Sequence, residues 1–220
     1  MSLAVTTHDE IQAKYEKTRL EVLLDEIARG QLRLPWFQRP FAWQPEQIIE
    51  LFGSLEKGYP IGSFMIWDSP RVIPSLDRIA DLPAPTPSAG RSQSYLVDGH
   101  QRLAALYGCL MSRPARSGKG EWVWNVHRVL GDPDGWFRQW RSSAQAPPTW
   151  LPMRSVLRTP DFHTWTRRLN ESVNHQGLID EAEFVAQRIK SCEVPVLRLT
   201  GGPAEGAAEV FARLRTTDWR

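Results

Sequence analysis

The sequence has little cysteine. Two residues, Cys109 and Cys192, occur in a chain of 220. They make no disulfide framework, and no CxxC pair exists to hold a structural zinc. Cys109 sits in an apolar run at 103–111, so it is expected to fill the core as a small hydrophobe. Long hydrophobic runs are also missing. No stretch approaches the roughly 18 uninterrupted apolar residues of a membrane-spanning helix. Residues 1–10 lack the basic start and apolar run of a secretory signal. A cytoplasmic protein without membrane contact is therefore expected. A composition of 41% hydrophobic and 24% charged residues excludes wholesale disorder, collagen-like repeats and a coiled coil.

Several catalytic signatures are absent too. There is no HExxH and no GxSxG. Residues 117–120 (SGKG) resemble the tail of a phosphate loop, but Gly120 stands where the magnesium-binding hydroxyl is needed. The five histidines are far apart and make no i, i+4 ligand pair. Neither clustered carboxylates nor a His-Asn-His arrangement is visible, so no nuclease site is expected in this chain.

Charge is present but unevenly spread. The net charge is +2. Residues 1–112 carry 11 basic against 13 acidic side chains, 113–168 carry 10 against 4, and 169–220 carry 6 against 8. The basic middle holds Trp122, Trp124, Trp136, Trp140, Trp150 and Trp165. Two readings stand side by side. The segment is either a nucleic-acid contact surface or a solvated face with core tryptophans.

Periodicity predicts a helix over 11–27, stopped at Gly30, and an extended piece at 32–35. A second helix opens at Pro45, buries Ile48, Leu51, Phe52 and Leu55, and closes at Lys57-Gly58. Strands are expected at 61–67, 95–97 and 194–199, with a β-rich piece at 121–130. Further helices are expected at 103–110, from Thr159-Pro160 towards 169, and at 180–191 and 203–214. The proline-rich 70–89, the basic 113–120 and the stretch 131–150 read as loops, linker and turns. This order favours an α+β fold.

One segment stands out: YLVDGHQRL at 95–103. An apolar strand runs into an Asp98-Gly99 turn and a helix begins at once. Such a junction aims free backbone N–H groups and the positive end of a helix dipole at one spot, which attracts an anion, above all a phosphate. Gly99 permits close backbone approach. Arg102 can contact phosphate oxygens with two donors. Asp98 can hold a metal or orient a water, and His100 and Gln101 can hydrogen-bond a base, a ribose or a water. The plainer reading keeps Asp98 as a helix cap and Arg102 in a surface ion pair. A second segment, LPWFQRPFAW at 34–43, places aromatic anchors around Gln38 and Arg39 in a stretch pinned by prolines. It is either a core-facing loop or a second wall facing the first.

These two boxes, with QIIELFGSLEKGYPIGSFMIW at 47–67 between them, resemble the N-terminal domain of GmrSD-type restriction endonucleases, marked by a DGQQR motif. The likeness is clear over about residues 20–110 and weaker afterwards, where CEVPVLRL at 192–199 and EVFARL at 209–214 look like the family's later strand and helix. The resemblance implies a ParB/sulfiredoxin-like mixed sheet with surrounding helices. Residues 1–112 would form the nucleotide-binding core, and 113–220 the remainder of the same domain. It implies binding and hydrolysis of a nucleoside triphosphate with Mg²⁺, in a modification-dependent restriction or phage-defence system. The site carried over consists of Asp98, Gln101 and Arg102 for turnover. Gln38, Arg39, Gly99, His100 and Arg102 would hold the nucleotide, and Asp98 the Mg²⁺. His100 replaces the first glutamine of the motif; it still offers a donor and an acceptor and can make the site pH-sensitive. DNA and a nuclease domain or subunit supplied elsewhere are the implied partners. The family's Asn-x-x-Gly box after the last helix is missing, so the chain is expected to be truncated, with Val210, Phe211 and Leu214 left exposed. The competing reading is a non-catalytic DNA-binding or interaction module.

Overall fold

The computed structural model describes residues 11–69, 71–79, 82–86, 93–111, 121–132, 134–172 and 176–216, with the side chains of 121, 122, 172, 211 and 214–216 left aside. Its centre is a five-stranded mixed sheet. The strands are β1 (Gln12–Arg19), β2 (Leu32–Arg33), β3 (Phe64–Ser69), β6 (Gln93–Asp98) and β10 (Glu193–Thr200), in the order β1-β10-β3-β6-β2. β10 runs antiparallel to β1 and parallel to β3; β6 runs antiparallel to β3 and parallel to β2. A short hairpin, β4 (Arg78–Ile79) with β5 (Leu82–Pro83), lies in the proline-rich stretch. A second sheet, β8-β7-β9, is built from β7 (Val126–Val129), β8 (Phe137–Gln139) and β9 (Trp150–Pro152). The helices are α1 (Leu20–Ala28), α2 (Pro45–Lys57), α3 (His100–Met111), α4 (Thr159–Ser172), α5 (Gln176–Lys190) and α6 (Ala204–Thr216). The expected α+β class is what the chain adopts, and no helix among the described residues is long and apolar enough to cross a membrane.

The sheet is apolar on both faces because both are covered. In β10, Val194 and Val196 enter the larger core with α1, α2, α3 and α5, while Leu197 and Leu199 enter a smaller one with Trp67, Tyr95, Val97 and Ala207 of α6. Cys109 is 1% exposed inside the larger core, and burial raises its thiol pKa. α2 starts as read: Pro45 is the first helical residue, and Gln44 and Gln47 make a reciprocal capping box.

The expected opening helix is wrong for its first half. Residues Gln12–Arg19 form β1, an edge strand paired over its whole length with β10. Tyr15, an aromatic residue within that expected helix, is 78% exposed. The partner strand lies some 180 residues away in sequence, which local periodicity does not report. Smaller corrections follow the same logic. Residues 131–150 contain β8 and the start of β9, the stretch 121–130 holds a short 3₁₀ turn before β7, and the proline-rich loop carries the hairpin. The buried Arg33 pins that loop, its guanidinium donating to Ser75 Oγ at 2.6 Å and Pro85 O at 2.6 Å. Val210 is half-buried against the smaller core rather than left exposed. The side chains of Phe211 and Leu214, that of Trp122, and the segment 113–120 lie outside the described residues.

Candidate functional site

At the β6–α3 junction the chain must turn from a buried strand into a buried helix with no spare residue between them. Gly99 makes that turn with φ +91°. A Cβ there would run into the Phe64 ring of β3, so only glycine fits. Opposite, the β3–β6 register shifts between Met65 and Ile66, so that Met65 pairs with Asp98 and Ile66 with Leu96. The first intrahelical bond of α3 runs from Leu103 N–H to Gly99 O at 2.9 Å. The amides of His100, Gln101 and Arg102 therefore have no acceptor within the helix.

Those amides face a cleft of about 340 Å³. All seven residues singled out from the sequence line it: Gln38, Arg39, Asp98, Gly99, His100, Gln101 and Arg102. Phe37 and Trp43 line it too and were not assigned to it from the sequence. Their signal was available, since both belong to the aromatic anchors flanking Gln38-Arg39 in the 34–43 box.

The boxes hold one another in place. Gln38 Nε2 donates to Leu96 O at 3.1 Å and Val97 O at 2.7 Å, tying the first box to β6. Gln101 is 6% exposed and fully engaged. Its Oε1 accepts from Ala42 N–H at 2.7 Å and Trp43 N–H at 3.3 Å, and its Nε2 donates to Pro40 O at 3.0 Å. Arg102 donates to Ile61 O at 2.6 Å and Ser63 O at 2.8 Å, and its guanidinium lies over the Phe64 ring at 5.1 Å. A Cβ on Gly62 would strike that guanidinium. The three boxes are thus one interlocked unit.

The electrostatics divide the residues. Asp98 carries 45% side-chain exposure and stands 3.7 Å from Arg102. No side-chain bond from Asp98 to the helix amides is present among the described contacts, so it is not the α3 cap. Arg102 is not a simple surface ion pair either, because its firmest contacts are backbone carbonyls. Burial draws its pKa below the usual guanidinium value, with Asp98 opposing; it remains charged. Arg39 is exposed. His100 is 6% exposed, and its Nδ1 is buried without a hydrogen-bond partner among the described residues. Burial, with Arg39 close by, lowers its pKa to about 4, so it is neutral at pH 7. Among the described residues, Asp98 is the only carboxylate lining the cleft and no three metal-ligating side chains gather. One carboxylate suits a Mg²⁺ that arrives on ligand phosphates, not a cation caged by protein alone.

A family model described as "GmrSD restriction endonuclease, N-terminal domain" matches residues 20–198. The chain is also 28% identical over 106 residues to Uncharacterized protein MJ0686 of Methanocaldococcus jannaschii, over 46% of this chain and 18% of that protein. The chain thus spans less than a fifth of the length of the curated relative it matches.

Proposed function

Because the chain belongs to the N-terminal domain family of GmrSD restriction endonucleases, we propose that its motif cleft binds a nucleoside triphosphate and hydrolyses it, as a regulatory domain in a restriction or phage-defence system. The observation that carries the reading is the convergence, on one cleft, of the first-turn amides of α3, which have no acceptor within the helix, and two guanidiniums. Helix N-termini with nearby arginines are phosphate sites. A volume of about 340 Å³ falls in the usual range for small-molecule pockets.

The residues divide the work. The amides of 100–102, Arg39 and Arg102 meet the phosphates. His100, neutral at pH 7, lines the cleft beside Phe37 and Trp43, which give the apolar wall. Asp98 orients a water or contributes to holding Mg²⁺, which would neutralise phosphate charge. Phosphoryl transfer asks for positioning and charge stabilisation more than for a covalent residue, so this set suffices. Gln101, with every polar atom committed to residues 40–43, is a positioning residue that fixes the loop bearing Arg39. In the proposed system, a nuclease domain or subunit supplied elsewhere would act on the DNA.

The test is phosphate release and thermal shift with ATP, GTP, CTP and UTP plus Mg²⁺, in wild type, Asp98→Ala, Arg39→Ala and Arg102→Ala. The reading expects stabilisation by at least one nucleotide. Arg39→Ala, an exposed change that leaves the interlock intact, should lose most of it. Stabilisation equal in wild type and in Arg39→Ala and Arg102→Ala would place nucleotide binding elsewhere; no response to any nucleotide from the folded wild type would end the reading.

A further inference from the structure

A second cleft, of about 280 Å³, opens at the C-terminal end of α3, where Leu110 and Met111 form part of its wall. α3 has 12 residues, so the two clefts sit at opposite ends of a helix roughly 17 Å long. Three guanidiniums, of Arg154, Arg158 and Arg168, reach the second cleft against one carboxylate, Asp161. Arg158 pairs with Asp161 at 3.2 Å, both about half exposed. Arg168 donates to Ala146 O at 2.5 Å. Arg154 is half-buried, and its one hydrogen bond among the described residues is a long 3.5 Å contact to Asn125 Oδ1. Most of its five donors therefore have no acceptor among the described residues. Burial above all lowers the pKa of His127, and the positive charge of Arg154 and Arg168 adds to that shift. A planar guanidinium fork held partly out of water fits the oxygens of a phosphate.

The cleft continues onto a surface of matching chemistry. Pro152 of β9 lines it, and Pro152 pairs with His127 of β7, itself opposite Arg138 of β8. Strand alternation puts Arg138, Trp140 and Trp150 on that same outer face. Arg138 is exposed and Trp136, next along, is 50% exposed. Three of the tryptophans are already used: Trp140 and Trp150 pack edge to face at 5.4 Å, and Trp165 is 5% exposed. Trp136 alone among these four is open enough to stack on an unpaired base. Several arginines with a single open ring beside them suit a backbone more than a run of unpaired bases.

We propose that the Arg154–Arg158–Arg168 cleft and the adjoining face of β8-β7-β9 form a second phosphate site, which grips the sugar-phosphate backbone of duplex DNA. The site is separate from the nucleotide cleft, and its link to DNA cleavage rests on the restriction-system reading; its chemistry does not.

The experiment is fluorescence anisotropy of the full chain with a labelled duplex over a salt series, without nucleotide or Mg²⁺. Wild type is compared with Arg154→Gln/Arg158→Gln, Arg154→Lys and Arg39→Gln. Each phosphate contact contributes a slope of about 0.9 in log K against log salt, so the double variant should bind roughly tenfold or more weakly, with a slope lower by about 1.8. Arg154→Lys should keep the slope and lose part of the affinity. Arg39→Gln should bind DNA as wild type does, and the double variant should keep any nucleotide-induced thermal shift, which separates failure here from failure at the motif cleft. Melting temperatures of the variants within a few degrees of wild type would show intact folds. Four results would overturn the proposal. They are no duplex binding at low salt, a slope unchanged in the double variant, tighter binding to single strands, and dependence on this cleft for inorganic phosphate or a mononucleotide but not for duplex.

Discussion

Replacing Gln101 by alanine separates a catalytic role from a positioning one. The side chain makes three bonds to residues 40–43, one of them long. A typical bond contributes about 0.5–1.5 kcal/mol net. Pro40 and Ala42 are exposed, so water recovers part of what is lost there, and the expected destabilisation is about 2 kcal/mol. For a chain of this size that is a fall in Tm of about 4–8 °C. With its anchor gone, the loop carrying Arg39 is no longer held over the α3 amides. Nucleotide affinity should drop, about tenfold for one charged contact misplaced. Turnover at saturating nucleotide should be largely retained, because no reacting atom has lost a partner. Calorimetry gives the first quantity, and phosphate release across a nucleotide titration splits KM from kcat. A variant that melts within about 1 °C of wild type yet loses kcat by about a hundredfold would refute this reasoning, since that is the signature of a group touching the transition state.

The buried Arg128 bridges Glu56 of α2 at 3.0 Å and Glu181 of α5 at 2.9 Å. Arg128→Ala leaves two half-buried carboxylates facing each other without their cation and should destabilise by about 3 kcal/mol, the low end for a broken buried pair, in denaturant unfolding. Gly99→Ala combines a left-handed backbone with a clash against Phe64; about 2–4 kcal/mol of destabilisation is expected. Melting above or equal to wild type would show that the junction relaxes. Stability should also fall on acidification. His100 and His127 both have folded pKa values of about 4 against an ordinary 6.5, so the unfolded chain binds more protons between those values. By pH 5 the loss is about 2 kcal/mol for each. Glu26, whose carboxyl burial raises above its ordinary value, acts in the opposite sense, losing stability as pH rises. His127→Asn should therefore flatten the wild-type decline between pH 7 and 5 by about 2 kcal/mol, and an unchanged slope would contradict the assignment.

What the sequence shows and what it hides follow from the range of the interactions. α2 was legible because its determinants are local: Pro45 at the first turn, the apolar set Ile48, Leu51, Phe52 and Leu55, and Gly58 at the end. The strand–turn–helix at 93–111 was legible for the same reason, since Gly99 must turn where it does. β1 was not, because Gln12–Arg19 is a strand only by virtue of β10. The small sheet was hidden likewise, as its three- and four-residue strands are defined by pairing and not by pattern. The candidate site lies between these cases. Its residues were found because the boxes at 34–43 and 95–103, with the segment at 47–67 between them, are each locally unusual. Their geometry explains why the three occur together: Gln38 reaches the carbonyls of β6, Gln101 reaches back to the first box, and Arg102 reaches the second. Gln101 and the half-buried Arg102 look like chemistry in a linear motif, yet most of their bonds go to backbone. The groups left over for a ligand are fewer than the motif suggests, namely the amides of 100–102, Asp98, Arg39 and the exposed fifth of the Arg102 side chain. A motif of this kind records two demands at once, and substitutions at Gln38, Gln101 and the buried His100 should move stability and affinity together, whereas Arg39 should move affinity far more than stability.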